Sequence, residues 1–291
     1  MLCQSNHSSD QKASYIKKFL SNARHKVWTL KAMSVDAILF DIDGTLVLHE
    51  KAISGAVEAV SYARAQGIEV RFLTNMTGRS PAQIATALTD LGIEADSSEV
   101  QTATSACVSL LKAHPRWRCH LMIPNRITDM FDGIVRDDIS PDVVVIGDLD
   151  DAFDFAAMNR AFLMLRNGAE LIVFHKNLFW LDATGARLDS GAFVVALEAA
   201  SGKSATVTGK PSRLFFETAL SELRCSRDRV LIIGDDVKTD ITGGRTVGVR
   251  TVLVGTGKYD GRPSDSAHRE DFFLDSIGRL PELLSTMSGV R

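Results

Sequence analysis

Asp41-Ile42-Asp43-Gly44-Thr45 gathers two carboxylates, a glycine and a hydroxyl directly behind the apolar run Ala37-Ile38-Leu39-Phe40. At the carboxyl end of a parallel strand, such a cluster lies where open α/β sheets place their active sites. By average composition the four fixed residues of the pattern should arise by chance in well under about one in a hundred chains of this length. The plainer reading is a strand-exit turn, for which Asp and Gly are ordinary residues. Thr74 ends a second apolar run with Asn75 behind it, Lys210 sits in Thr208-Gly209-Lys210-Pro211, and Asp235, Asp236 and Asp240 follow Val230-Leu231-Ile232-Ile233. Taken singly, the Thr is a cap, the Lys a solvated charge and the acidic cluster a loop. Taken together, several strand-to-helix junctions each deliver a polar group, and such junctions converge on one crevice. Carboxylates, one Lys and one hydroxyl describe a Mg2+ site that handles a phosphoryl group. Hard carboxylate oxygens suit Mg2+, while the Lys and the loop amides neutralise phosphate charge.

Those junctions require alternating strands and helices, and from Val35 onward the pattern is that of a doubly wound, Rossmann-like α/β fold with a parallel sheet. After the first strand, residues 54–66 place Val57, Val60 and Ala63 on one helical face, with Ser54 as N-cap and Gly67 as the stop. Residues 68–73 read as the next strand. Ser80-Pro81 opens a helix that closes at Leu91-Gly92, the proline sitting in the first turn where its missing N–H costs nothing. A further helix is expected over 98–113, halted by Pro115. The middle third predicts strands at 118–123, 143–146 and 170–174 and helices at 155–167 and 192–201. Beyond Gly202 come a Thr-rich strand running into Gly209-Lys210-Pro211, a helix to Leu223, and strands at 229–233 and 249–254. The stretch 115–204 is therefore expected to be an α/β domain inserted between two parts of a larger one, 34–114 and 205–291.

Composition narrows the function classes. With 45% hydrophobic and 24% charged residues, a chain of 291 can bury an ordinary globular core, which excludes collagen, wholesale disorder and a disulfide scaffold. Lys plus Arg total 33 against 36 Asp plus Glu, which offers nucleic acid no basic field. No apolar run approaches the roughly 20 residues of a membrane span. Cys3, Cys107, Cys119 and Cys225 stand far apart without a C-x-x-C pair, the pattern of reduced thiols in a cytoplasmic protein. The first 32 residues differ: Lys12, Lys17, Lys18, Arg24, Lys26 and Lys31 are opposed by Asp10 alone. They lack the apolar block of about 7 to 15 residues that a secretory signal needs. Because Met33 directly precedes the first strand pattern, an upstream start codon or a disordered tail is expected here ahead of organellar targeting.

In their order, Asp41-Ile42-Asp43-Gly44-Thr45, Leu73-Thr74-Asn75, Thr208-Gly209-Lys210-Pro211 and Gly234-Asp235-Asp236-Val237-Lys238-Thr239-Asp240 resemble the four motifs of the haloacid dehalogenase-like superfamily of phosphohydrolases. The size and position of the insert resemble that superfamily's type IIA branch, which carries a C2 cap. The resemblance runs from about Val35 nearly to the end of the chain. It implies that Asp41 is a nucleophile forming an aspartyl-phosphate, and that Asp43 protonates the leaving group and then activates water. It further implies that Gly44, Thr45, Thr74, Asn75 and Lys210 bind the phosphoryl group, with Lys210 also holding the nucleophile in place. Mg2+ would be bound by the Asp41 carboxylate, the Asp43 backbone carbonyl and Asp235, with Asp236 and Asp240 supporting these ligands from behind. The implied partner is a small phosphorylated molecule, since a C2 cap roofs the site against large polymers, and assembly through the cap makes a homodimer the expected oligomer.

Departures from the branch bear on the substrate. Many members carry Pro-Gly where this chain has Ser190-Gly191, and Asn-x-Asp where it has His175-Lys176-Asn177. His175 is either a substrate contact carried by the cap or a structural or solvated histidine. Phe179 and Trp180 either stack on a substrate or fill the cap core, the commoner fate of such residues. Three other activities compete with the phosphatase. A dehalogenase needs neither a second acid at Asp43 nor a metal, so the first motif argues against it. A phosphotransferase differs only in the acceptor, and a silent binding protein would have lost catalytic residues that are all present here.

Overall fold

A computed structural model of the chain describes residues 34–149, 152–182, 185–259 and 270–287; the basic leader lies outside them. The described residues fall into two compact units, one within 34–73, 87–95 and 220–287, the other within 74–86 and 96–219. In the first, parallel strands follow one another in the order Phe272–Leu274, Arg250–Val254, Val230–Gly234, Ala37–Asp41 and Glu69–Thr74. The strands Ala37–Asp41 and Val230–Gly234 are buried along their whole length, as apolar strands covered on both faces should be. From Ala37–Asp41 the chain moves to Glu69–Thr74 on one side and returns at Val230–Gly234 on the other. The two motif-bearing strands thus flank a topological switch point.

Some local expectations need correction. The helix Ala56–Ala65 is entered through Gly55, whose φ is 84°, and no side chain caps it, so Ser54 is not its N-cap. The helix expected over 98–113 is three elements. A single 3-10 turn, Ser97–Glu99, is closed by a reciprocal capping box between Asp96 and Glu99, and Val100–Thr102 is a short strand. The helix proper is Ala103–Ala113, because the Thr102 hydroxyl accepts the Ser105 N–H at 2.9 Å and the Ser105 hydroxyl accepts the Thr102 N–H at 2.9 Å. The strand Phe272–Leu274 was not expected, being too short to show a period.

The second unit holds another parallel sheet, in the order Thr206–Val207, Glu170–Val173, Val143–Ile146 and Cys119–Met122. Alternate residues serve opposite faces. Val143, Val145 and Ile172 pack with Cys107 and Leu111 of Ala103–Ala113, whereas Val144, Ile146, Leu171 and Val173 pack with residues of Phe155–Arg166 and Ser190–Ser201. An antiparallel pair, Phe179–Asp182 with Gly185–Leu188, precedes the last of these helices. Cys107, Cys119 and Cys225 carry free thiols, and no helix among the described residues is long and apolar enough to cross a membrane.

Candidate active site

Strand register pairs Phe40 with Ile233 and Asp41 with Leu73, so Asp41 and Asp235 leave neighbouring parallel strands at the same sheet edge. Asp41 is buried, and the Thr45 hydroxyl donates to its Oδ2 at 2.8 Å. That contact requires the chain to double back at once: Leu46 and Val47 both donate their N–H groups to the Ile42 carbonyl at 2.9 Å. Gly44 makes the turn possible. Its φ is 94°, and a Cβ there would stand 2.2 Å from Asp235 Oδ2, so neither the backbone angle nor the space admits a side chain. Asp43, next to it, is exposed and bridges to Val47.

Asp240 reaches the same place by a different device. After Gly234 the chain makes one π-helical turn, Val237–Ile241, whose wide winding returns Asp240 to the start of the loop. There the Asp236 N–H donates to Asp240 Oδ2 at 3.2 Å. Asp41, Asp235 and Asp240 are all buried, and one carboxylate oxygen from each lies within 4.8 Å of the others. Asp236 stands outside this trio. Its carboxylate accepts the Lys238 N–H at 2.8 Å and lies 3.7 Å from Lys258 Nζ. Burial first, and the neighbouring charge of Asp41 second, push the Asp235 carboxyl up to about 7, against the pull of the Lys258 N–H. Three carboxylates held together out of water, whose ionisation opposes one another, are a donor set that a divalent cation would stabilise, and all-oxygen donors select a hard one such as Mg2+.

One contributor escaped the sequence reading. In the loop after Arg250–Val254, the Thr256 hydroxyl donates to the Gly44 carbonyl at 2.6 Å and the Lys258 N–H donates to Asp235 Oδ2. Gly255-Thr256-Gly257-Lys258 leaves the carboxyl end of a parallel strand, the same criterion that singled out the other segments.

Thr74, Asn75 and Lys210 belong to the second unit. Thr74 is buried and its hydroxyl accepts the Met76 N–H at 3.0 Å. Lys210 is buried as well, and the Asn75 side chain bonds its backbone.

The same unit contains a triad that the sequence did not reveal. His175 is buried, with Nε2 at 3.0 Å from Asp148 Oδ1 and 3.9 Å from Asp189 Oδ1. The Asn177 N–H donates to Nδ1 at 3.3 Å, which in the neutral ring leaves the proton on Nε2. Protonation of the ring, which the two carboxylates favour, makes the trio an ion-pair network and removes the Asn177 bond, because Nδ1 then carries a proton of its own. Thr77, three residues beyond Thr74, donates its hydroxyl to Asp148 Oδ2, tying the network to that loop. Phe179 is 60% exposed, so the cap core does not absorb it; the Trp180 side chain lies outside the described residues.

Burial alone would raise Asp148, but the hydrogen bond and charge of His175, with the hydroxyls of Thr77 and Ser190, hold it at about 2. Burial likewise lowers His175, and Asp148 and then Asp189 outweigh it and raise its pKa. The lowered Asp148 stabilises the fold above its ordinary 3.8, a contribution lost as pH falls toward about 2. The raised His175 stabilises fully below its ordinary 6.5 and fades as pH rises through its elevated folded value. The pair therefore contributes most between about pH 4 and 6.5. Asp148→Asn is expected to destabilise the protein by about 3 kcal/mol at pH 6 in urea titrations, with a smaller gap to wild type at pH 8.5. A gap that does not change with pH would show that the pair carries no charge.

Family models for haloacid dehalogenase-like hydrolase and HAD-hydrolase-like sequences match residues 38–134 and 207–280. The chain is 36% identical over 226 residues to haloacid dehalogenase-like hydrolase domain-containing protein 2 of Mus musculus, covering 78% of this chain and 86% of that protein. It is also 36% identical over 265 residues to phospholysine phosphohistidine inorganic pyrophosphate phosphatase of Xenopus laevis, covering 87% and 96%. In structure it resembles 4-nitrophenylphosphatase from Thermotoga maritima, with a TM-score of 0.78 at 24% identity over 86% of this chain and 97% of the other, a likeness of fold. A variant of the thermostable p-nitrophenylphosphatase from Bacillus stearothermophilus gives 0.77 at 26% identity over 84% and 97%.

Proposed function

The chain belongs to the haloacid dehalogenase-like hydrolases, and from that premise we propose that it is a Mg2+-dependent phosphatase that hydrolyses a small phosphorylated molecule through an aspartyl-phosphate at Asp41. The observation that carries this reading is the buried trio Asp41, Asp235 and Asp240 at the edge where the central strands end. Asp41 attacks phosphorus, and its oxygen displaces the alcohol of the ester. The Thr45 hydroxyl, bonded to Asp41 Oδ2, holds the carboxylate in one orientation so that the other oxygen is the nucleophile. Asp43, exposed beside it, gives its proton to the departing alkoxide and then takes one from the water that hydrolyses the acyl phosphate. Thr74, the Gly44 and Thr45 amides and the Lys210 ammonium receive the phosphoryl oxygens. Asp41, Asp235 and the Asp43 carbonyl would hold Mg2+, backed by Asp240 and by Asp236; when bound, the ion neutralises phosphoryl charge as it builds in the transition state.

In the same proposal, residues 115–204 form the C2 cap that selects the substrate, the protein works in the cytoplasm, and a homodimer forms through the cap. The exposed Phe179 and Leu188, on the antiparallel pair, support the last point by giving the cap an apolar face. A panel of phosphorylated metabolites with purified protein tests the activity. Turnover is expected with Mg2+, with loss of at least about 100-fold in excess chelator. Ca2+ is expected to suppress it, because that ion takes more ligands at longer distances and disturbs the in-line geometry. Full turnover in chelator would contradict the proposal.

A further inference from the structure

The backbone of Lys210 is gripped at both ends by one side chain. Asn75 Oδ1 accepts the Lys210 N–H at 2.7 Å, and Asn75 Nδ2 donates to the Lys210 carbonyl at 3.0 Å. These bonds fall where the sheet stops supplying them. Thr208 and Gly209 still donate to the Val173 and Phe174 carbonyls, at 2.9 and 2.8 Å, but the ladder goes no further, and Pro211 has no N–H to offer. Gly209 brings the chain this close: a Cβ on it would lie 2.6 Å from Asn75 Oδ1 and 2.6 Å from the Phe174 carbonyl oxygen. The Thr208 hydroxyl, donating to the Ala103 carbonyl at 2.9 Å, fixes the preceding residue to the start of the helix Ala103–Ala113. Lys210 itself is 5% exposed, so its backbone cannot readily exchange these partners for water.

Resting on the phosphatase reading above, we propose that the Asn75 side chain is a positioning residue for Lys210 rather than a ligand of the phosphoryl group. An amide is the side chain suited to this, since it offers an acceptor and a donor side by side to the N–H and C=O of a single residue. A flexible lysine stem reaches a fixed point only if its Cα is fixed, and displacements of about 1 Å can cost on the order of 10²-fold in rate. The sequence reading placed Asn75 among the phosphate ligands because it adjoins Thr74; the geometry gives its carbonyl oxygen to Lys210.

Three measurements on the full chain test this. Amide exchange at Lys210, followed by NMR, is expected to accelerate at least about 10-fold in Asn75→Ala. In Asn75→Asp, which keeps the acceptor but turns a carboxylate oxygen toward the Lys210 carbonyl, an intermediate acceleration is expected. With p-nitrophenyl phosphate, kcat of Asn75→Ala is expected to fall about 10- to 100-fold with KM changed less than about 3-fold. In a Lys210→Met background the same substitution should cost less than about 2-fold, since an effect exerted through the ammonium disappears with it. Losses that multiply in the double variant would overturn the proposal, because Asn75 would then act on substrate directly or on the fold as a whole. An unchanged Lys210 exchange rate in Asn75→Ala would overturn it too. Failure of the wild type to hydrolyse any ester with Mg2+ would overturn the phosphatase reading instead, and the exchange rates would decide the Asn75–Lys210 clamp alone.

Discussion

Asp41→Asn is expected to lower turnover of every phosphate ester by about 10⁴-fold or more, whatever the leaving group, because an amide cannot form the acyl phosphate. The loss should not come from unfolding. The Thr45 hydroxyl can donate to the Asn carbonyl as it does to Asp41 Oδ2, and the substitution removes one of three buried carboxylates whose charges oppose one another. The melting temperature without metal is therefore expected to equal or exceed that of wild type, while Mg2+ affinity falls because a ligand has lost its charge. Residual activity above about 1% of wild type at unchanged melting temperature would show that Asp41 is not the nucleophile.

The second large effect concerns Asp43, two residues away and assigned to different steps. If it is the leaving-group acid, Asp43→Asn should depend on the alcohol released. Nitrophenolate departs without a proton, whereas an alkoxide needs one, and general acid catalysis contributes typically about 10² to 10⁴-fold. The phosphorylation step should fall by that order for alkyl phosphates and by about 10-fold or less for p-nitrophenyl phosphate. Hydrolysis of the aspartyl-phosphate slows for both, so steady-state rates would mask the contrast, and single-turnover release of the alcohol is the measurement to use. Since Asp43 is exposed and lies outside the buried acidic trio, the variant should keep its fold and bind Mg2+. Equal losses for the two ester types in that assay would remove Asp43 from the role.

How much of this could be read from the residues depends on how local the determinant is. The strands Ala37–Asp41 and Val230–Gly234 announce themselves as short apolar runs ending in acids, and their pairing follows from the rules of parallel sheets. Asp240 was legible as a neighbour of the site but not as a member of the trio, because nothing in its sequence reveals a π-helical turn. The 98–113 segment misled because Val100, Ala103 and Cys107 fit helical spacing; the Thr102 and Ser105 cap that interrupts it matters only once the chain is folded. His175, Asp148 and Asp189 lie on separate segments with no shared motif, so their triad is a tertiary fact. Asn75 is legible as the neighbour of Thr74, but the partner of its amide oxygen is not. Only the approach of Gly209 shows that Lys210, 135 residues away, takes it.

The covalent step can be observed at the residue to which it is assigned. Asp43→Asn, mixed with p-nitrophenyl phosphate and Mg2+, should accumulate the phosphorylated enzyme, because the proton is not needed to form it and the base that hydrolyses it is gone. Quenching into borohydride reduces an aspartyl-phosphate to homoserine, and peptide mass spectrometry locates the change. The account predicts homoserine at position 41, in an amount matching the burst of nitrophenolate, and none in the Asp41→Asn/Asp43→Asn double variant. A burst with no reduced residue, or with the reduced residue at any other position, would contradict it.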